Sequence, residues 1–169
     1  TLTMTASSPV VAGADRLASP VPHDVDVSDE LTARWRAGFA AYRPLPDDGV
    51  PERILTGSSG QRFLSIDGSI DGSIGGALEV SRPIAVARMS MARRSGWAGL
   101  HAMWVDPTHR RRRLAHALAA RLGQLAVEDG LDHIYLHVES ANTVARQCYR
   151  QLGFVDHSGY VYYRQAGER

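Results

Sequence analysis

Apolar residues recur along this chain with two periods, near two and near three to four, and each switch between them marks an element. The clearest switch lies between Trp97 and Ala120. An apolar run from Ala98 to Val105 is stopped by Asp106 and Pro107. After a short polar turn, Leu114, Ala117, Leu118, Leu122 and Leu125 return at helical spacing. This predicts a strand, a tight turn and a helix, closed by Asp129 and Gly130. Upstream, Thr1 to about His23 is rich in Ser, Ala, Pro, Val and Thr without periodicity and reads as a flexible lead-in, with order expected from about Asp24.

Val25 and Val27 then suit a short strand. Ser28 looks like an N-cap for a helix whose face carries Leu31, Trp35, Phe39 and Tyr42, ended by Pro44 and Pro46. A second short helix carries Val50, Ile54 and Leu55 and closes at Gly57 and Gly60. Gln61 to Ile66 and Arg82 to Met91 read as strands, separated by the repeat IDGSIDGSIGG (Ile66 to Gly76), which suits a turn-rich surface excursion. Arg93 to Gly96 is a turn. Past the long helix, Ile134, Leu136 and Val138 alternate with His133, Tyr135 and His137, giving a strand with two chemically different faces. Asn142, Ala145, Cys148, Tyr149 and Leu152 line one side of a helix stopped by Gly153. Phe154 to Asp156 and Tyr160 to Tyr163, split by a turn at His157 to Gly159, suit a closing hairpin. The order is strand, two helices, three strands, helix, strand, helix, two strands.

The strand, turn and helix at Trp97 to Ala120 carry chemistry as well as shape. The first amides of a helix lack intrahelical partners, and the helix dipole places partial positive charge there, so such a terminus receives phosphate. Arg110 to Arg113 would surround the anion with guanidinium groups, or else stand as a solvated run. The whole chain, 169 residues with a formal net charge of +1, has no global excess of positive charge. That speaks against nucleic acid and membrane partners, leaving the arginine run as the one concentrated cationic feature. There is no lysine. Cys148 is the single cysteine, which excludes an internal disulfide and a multi-cysteine zinc site and suits a reducing compartment. With no long apolar run and no basic, apolar start, the expectation is a cytoplasmic protein with no bound metal.

VDPTHRRRRLAHAL resembles the pyrophosphate-binding signature of the GNAT superfamily of N-acetyltransferases, a V, x, P entry followed by Q/RxxGxG/A. Arg110 takes the first position and Ala115 the last, while Arg113 stands where the family usually has glycine. Glycine there lets the backbone approach the diphosphate of coenzyme A closely. An arginine could weaken that approach or could pair with a phosphate. VESANTVARQCYRQLGF (Val138 to Phe154) resembles the second family signature, an asparagine followed by a YxxxGF-like ending. The resemblance, which includes actinobacterial C-terminal acetyltransferase domains, spans about Val25 to Arg164. It implies an α/β (α+β) fold with a central mixed, mostly antiparallel twisted sheet of about six to seven strands flanked by about four helices. The domain would occupy residues 24–169, after the lead-in at 1–23.

The same resemblance implies acetyl-CoA as co-substrate. The cofactor-binding residues would be Met103, Trp104 and Val105 through their backbone, then Arg110, Arg111, Arg112, Arg113, Leu114, Ala115 and His116 at the turn, with Asn142 and Tyr149 on the last helix. Acetyl transfer to a primary amine by direct attack in a ternary complex is then the expected reaction. A primary ammonium with a pKa of about 10.4 is free base in roughly one molecule in a few thousand at pH 7, equivalent to about 4 to 5 kcal/mol, so a group must take its proton. The departing thiolate leaves more easily if an acid donates to it. Tyr149, seven residues after Asn142, occupies the position of the family's acid. Core packing would equally account for a tyrosine there, as an N-cap would for Asn142. His137, five residues before Asn142, sits where related enzymes carry a glutamate base and can accept a proton when neutral. His101, Glu139 and a water chain are the alternatives.

The family's acceptor site implies Ala33 to Leu55 and Val155 to Tyr163 as its walls. Their aromatic surface is Trp35, Phe39, Tyr42 and Tyr160 to Tyr163, and Asp47, Asp48 and Glu52 could receive a cationic amine. The acceptor itself, small molecule or protein amine, is left open. A homodimer is the assembly that the resemblance suggests. The alternative function is an acyl-CoA-binding sensor or regulatory domain that binds without turnover.

Overall fold

A computed structural model describes residues 1–13, 23–68 and 82–161. Seven strands form one sheet: β1 (Leu2–Ser7), β2 (Asp26–Ser28), β3 (Gln61–Ile66), β4 (Ala85–Ala92), β5 (Trp97–Val105), β6 (His133–Val138) and β7 (Val155–Gly159). Five α-helices are α1 (Ser8–Gly13), α2 (Ala33–Ala40), α3 (Val50–Thr56), α4 (Leu114–Glu128) and α5 (Thr143–Gln151). The strand order is β2-β3-β4-β5-β6-β1-β7. Every pairing is antiparallel except β5 with β6. The mixed, mostly antiparallel sheet flanked by helices is the expected fold class. Among the described residues no helix is long and apolar enough to cross a membrane.

The first residues depart from expectation. Residues 2–13 of the anticipated flexible lead-in form β1 and α1, and β1 lies between β6 and β7, bonded to both. Its pattern explains this: Met4 and Ala6 point into the core while Thr3 and Thr5 alternate with them, a period of two in β-tolerant residues. The closing hairpin is displaced as a result. Val155–Gly159 is a strand through the expected turn, and its partner is β1. The anticipated second arm lies largely outside the described residues, as does most of the Ile66 to Gly76 repeat. Helix α1 then rests on α4, where Gly123 meets the backbone of Ala12; a Cβ at Gly123 would stand 2.5 Å from the Ala12 nitrogen.

One face of the sheet carries the main core. Met4, Ala87, Met89, Leu100, Ile134 and Leu136 pack there with Leu118 and Leu122 of α4. On the other face α2 packs over β3 and β4. There Trp35 of α2 packs with Phe63, Val86 and Trp104, and its indole N–H donates to the carbonyls of Leu64 (3.0 Å) and Ala87 (3.1 Å). The α2 cap is Thr32, whose Oγ1 accepts from the Trp35 N–H at 3.1 Å, rather than Ser28. Ser28 instead forms a local turn with Glu30, a competing use of a short hydroxyl side chain.

Candidate active site

Strands β5 and β6 pair only from Trp97 opposite His133 to Leu100 opposite Leu136. Strand β5 continues to Val105 without β6, so the sheet forks beyond Leu100. The parting begins at a bulge. Ala102 has φ 51, and the β4–β5 register shifts between Val86 and Arg88. In consequence Ala102 packs with the α2 cluster, on the face to which His101, the residue before it, also belongs, and Met103 returns to the α4 side. Bulge backbone loses its regular ladder partner, leaving polar groups beside the fork for another ligand.

At the end of β5, Asp106 fixes the turn. Its carboxylate accepts from the Thr108 N–H (2.9 Å) and hydroxyl and pairs with Arg82 at 3.0 Å. The Thr108 bonds hold its pKa below the usual carboxylate value. A 3-10 turn, Pro107–His109, leads into four exposed arginines. Arg111 and Arg113 adopt left-handed backbone, with φ of 64 and 61. Arg113 is the N-cap of α4 and offers no side-chain cap; the first bond of the helix is Ala117 N–H to the Arg113 carbonyl. The amides of Leu114 and Ala115, with that of His116 beside them, stand in the first turn, where the helix ladder supplies no acceptor. Among the described residues no carboxylate pairs with Arg110, Arg111, Arg112 or Arg113, and Arg110 Nε donates to the Val105 carbonyl at 3.4 Å. The turn thus presents first-turn amides and four exposed guanidinium groups at the mouth of the fork.

Helix α5 forms the adjacent wall. Asn142 caps it, its Oδ1 accepting from Ala145 N–H at 3.1 Å. His116 Nδ1 and Cys148 Sγ lie 3.8 Å apart, joining the first turn of α4 to α5. Tyr149 packs on the main core and edge-on to Phe154, with ring centroids 5.9 Å apart. Its pKa is pushed up to about 12, by burial first and by Cys148 second, so the phenol keeps its proton.

The opposite face of the fork is polar and aromatic. His133, Trp97, Tyr135, His137 and Tyr160 run across it with successive ring centroids 4.8 to 6.4 Å apart, and His101 joins Tyr135 at 5.6 Å. His101 Nε2 shares a 2.8 Å hydrogen bond with Ser90 Oγ, and His137 Nδ1 shares one of 3.2 Å with the Tyr160 hydroxyl. Burial, followed by the charges of Arg88 and His137, lowers the His101 pKa to about 4. Gly99 leaves the room that this cluster occupies. A Cβ there would press on His101 Nε2 and stand 2.6 Å from Ser90 Oγ and 2.9 Å from Tyr135 Cζ.

The acetyltransferase (GNAT) family pattern matches residues 35–154, most of the chain. The chain belongs to this family. No curated protein matches it. Among solved structures, a functionally unknown conserved protein from Staphylococcus epidermidis aligns at TM-score 0.63 and 13% identity over 92% of this chain and 57% of that one. This chain therefore spans little more than half of that protein. The aminoglycoside acetyltransferase AAC(6')-Iy in complex with a bisubstrate analogue of coenzyme A aligns at TM-score 0.62 and 16% identity, over 85% and 99%. AAC(6')-Ih from Acinetobacter baumannii aligns at TM-score 0.61 and 16% identity, over 86% and 100%. At these identities the likeness concerns the GNAT fold.

The residues singled out from the sequence fall into three groups in this GNAT domain. Arg110 to His116, Asn142 and Tyr149 gather around the α4 turn and the α5 wall. Met103, Trp104 and Val105 lie on the unpaired half of β5, but the Trp104 side chain turns to the α2 cluster under Arg82, 5.8 Å from its guanidinium, and the Leu114 side chain is core. Only the backbone of these two is available to a ligand. His137 lies across the sheet from Tyr149, with the fork between them. Asp47, Asp48 and Glu52, considered for a cationic acceptor, are engaged elsewhere: Glu52 pairs with Arg36 at 2.6 Å, Asp47 lies 3.7 Å from Arg36, and Asp48 accepts from Val50 N–H. Arg88, Ser90 and Gly99 were not singled out. The signal for the first two is an arginine and a serine in the otherwise apolar run of β4.

The Arg113 departure is absorbed by the backbone, which takes the left-handed conformation that a glycine would favour. A non-glycine residue there costs on the order of 1 to 2 kcal/mol. Arg113→Gly is therefore expected to raise the unfolding free energy by about 1 kcal/mol, measured as a higher urea midpoint at unchanged m-value. A lower midpoint would show that the arginine side chain stabilises the turn by more than its backbone strains it.

Proposed function

We propose that the chain transfers an acetyl group from acetyl-CoA to an amine in a ternary complex. The observation that carries this reading is the fork between β5 and β6. It opens on one side to the arginine turn and Tyr149, and on the other to His101 and His137. The donor's diphosphate suits the amides of Leu114, Ala115 and His116, with Arg110 to Arg113 around it. The pantetheine arm suits the unpaired edge of β5 at Met103 to Val105, as an added strand would. The thioester would then lie at the bulge, where a strand amide can donate to the developing oxyanion.

The amine enters from the polar face. As its nitrogen bonds to the acyl carbon and the carbon–sulfur bond breaks, His137 receives the ammonium proton, directly or through water, and passes it to solvent. Tyr149 donates its phenolic proton to the departing sulfur and recovers one from solvent. His101, whose pKa lies near 4, stays neutral at neutral pH and orients Ser90 rather than serving as the base.

Calorimetric titration with acetyl-CoA tests the reading. Micromolar binding that weakens several-fold in 0.5 M salt is expected, because exposed guanidinium groups meet the phosphates. Absence of binding in both the parent and Arg113→Gly would sink it.

A further inference from the structure

Among the described residues Arg88 is a buried cation without a counter-ion. Its residue is 7% exposed. Among the described residues, Nη2 donates to Ser58 Oγ at 2.6 Å, Nε is buried with no partner, and no carboxylate pairs with it. No hydrogen bond of Nη1 is made within the described residues. On β4, Arg88 stands opposite His101, one residue beyond the last β5–β6 pair. It shares the polar face with Ser90, Tyr135 and His137. A guanidinium withdrawn from water is expensive to keep unless something satisfies it, and its planar donor edge matches a carboxylate. Asp47, Asp48 and Glu52 do not serve, being committed to the α2 and α3 region.

We infer that Arg88 is an acceptor-binding residue that receives the carboxylate of a small amino acid, whose amine reaches the acyl carbon at the fork. This inference rests on the fork being the site of acetyl transfer. The cluster of Arg88, His101, Tyr135 and His137 contains no carboxylate among the described residues. It therefore suits an acceptor that brings its own negative charge, rather than one with several cationic groups. The aromatic rings beside Arg88 exclude water from one side of the ion pair and strengthen it.

The test uses ligands that need no turnover. The full chain is titrated with N-acetylglycine, N-acetyl-β-alanine and N-acetyl-4-aminobutyrate, each against its primary amide, following the ring resonances of Tyr135 and His101 by NMR. At least one acid should bind ten-fold or more tightly than its amide. Arg88→Gln, shown to be folded by circular dichroism, should reduce that preference to within two-fold. Equal binding of every acid and amide by the parent chain would overturn the inference, without reliance on the variant's folding. So would failure of all three acids to saturate at tens of millimolar, or an undiminished preference in Arg88→Gln. Because acetyl-CoA binding is read separately by calorimetry, a chain that binds acetyl-CoA yet shows no carboxylate preference refutes this inference alone. A chain that binds no acetyl-CoA refutes the reading beneath it.

Discussion

Tyr149→Phe is expected to lower kcat for acetyl transfer by about 100-fold while leaving the acetyl-CoA dissociation constant within about two-fold. Two features set the size and the split. The ring packs on the main core and on Phe154, and phenylalanine preserves that surface, so folding and cofactor affinity change little. The hydroxyl makes no hydrogen bond among the described residues, and with its pKa pushed up to about 12 it remains protonated throughout the usual assay range. It is therefore a donor held in reserve, and its removal is felt when the thiolate departs. The measurement is thiol release at saturating acetyl-CoA and acceptor, beside calorimetry on both proteins. A loss confined to KM, or an unchanged kcat, would make Tyr149 a packing residue and move the acid role elsewhere. The high pKa also predicts that phenol ionisation adds no alkaline limb to the parent profile below about pH 10.

How far the sequence reaches can be seen in two contrasts. The segment from Trp97 to Phe154 was legible because its periods are long and its breakers strong: Asp106 and Pro107, Gly130, the Asn142 cap and Gly153 each fall at an element boundary. The N-terminal strand was not, since Leu2, Met4 and Ala6 give only three inward positions in a run of threonines and serines. What makes them a strand is a vacancy between β6 and β7 that exists only in the assembled sheet. The candidate site divides in the same way. Its arginine turn is written in consecutive residues and could be read directly, and even the Arg113 departure leaves its trace in a left-handed φ. The opposite face is assembled from β4, β5 and β6 by register. Arg88 becomes informative only once pairing places it opposite His101, and Gly99 only once His101, Ser90 and Tyr135 converge on the space that its missing Cβ leaves.

That converging face should also govern how the fold responds to acid. His101 has its pKa lowered from 6.5 to about 4, chiefly because burial opposes its charged form, with Arg88 and His137 adding repulsion. In the unfolded chain the imidazole takes up a proton near pH 6.5, whereas in the folded chain it resists until about pH 4. Between those values the unfolded state binds more protons, so stability falls as the pH falls through that window. A displacement of this size corresponds to roughly 3 kcal/mol, complete by about pH 4 and absent above pH 7. His101→Asn should be less stable than the parent at pH 7, having lost the Ser90 partner geometry, and should have a flatter dependence from pH 7 to pH 4. Urea unfolding at half-unit pH steps on both proteins measures the difference. Parallel curves would mean that His101 protonates in place at little cost. The polar face would then be open enough to hydrate a second cation beside Arg88, and the ion pair proposed for the acceptor carboxylate would lose the low-dielectric setting that makes it strong.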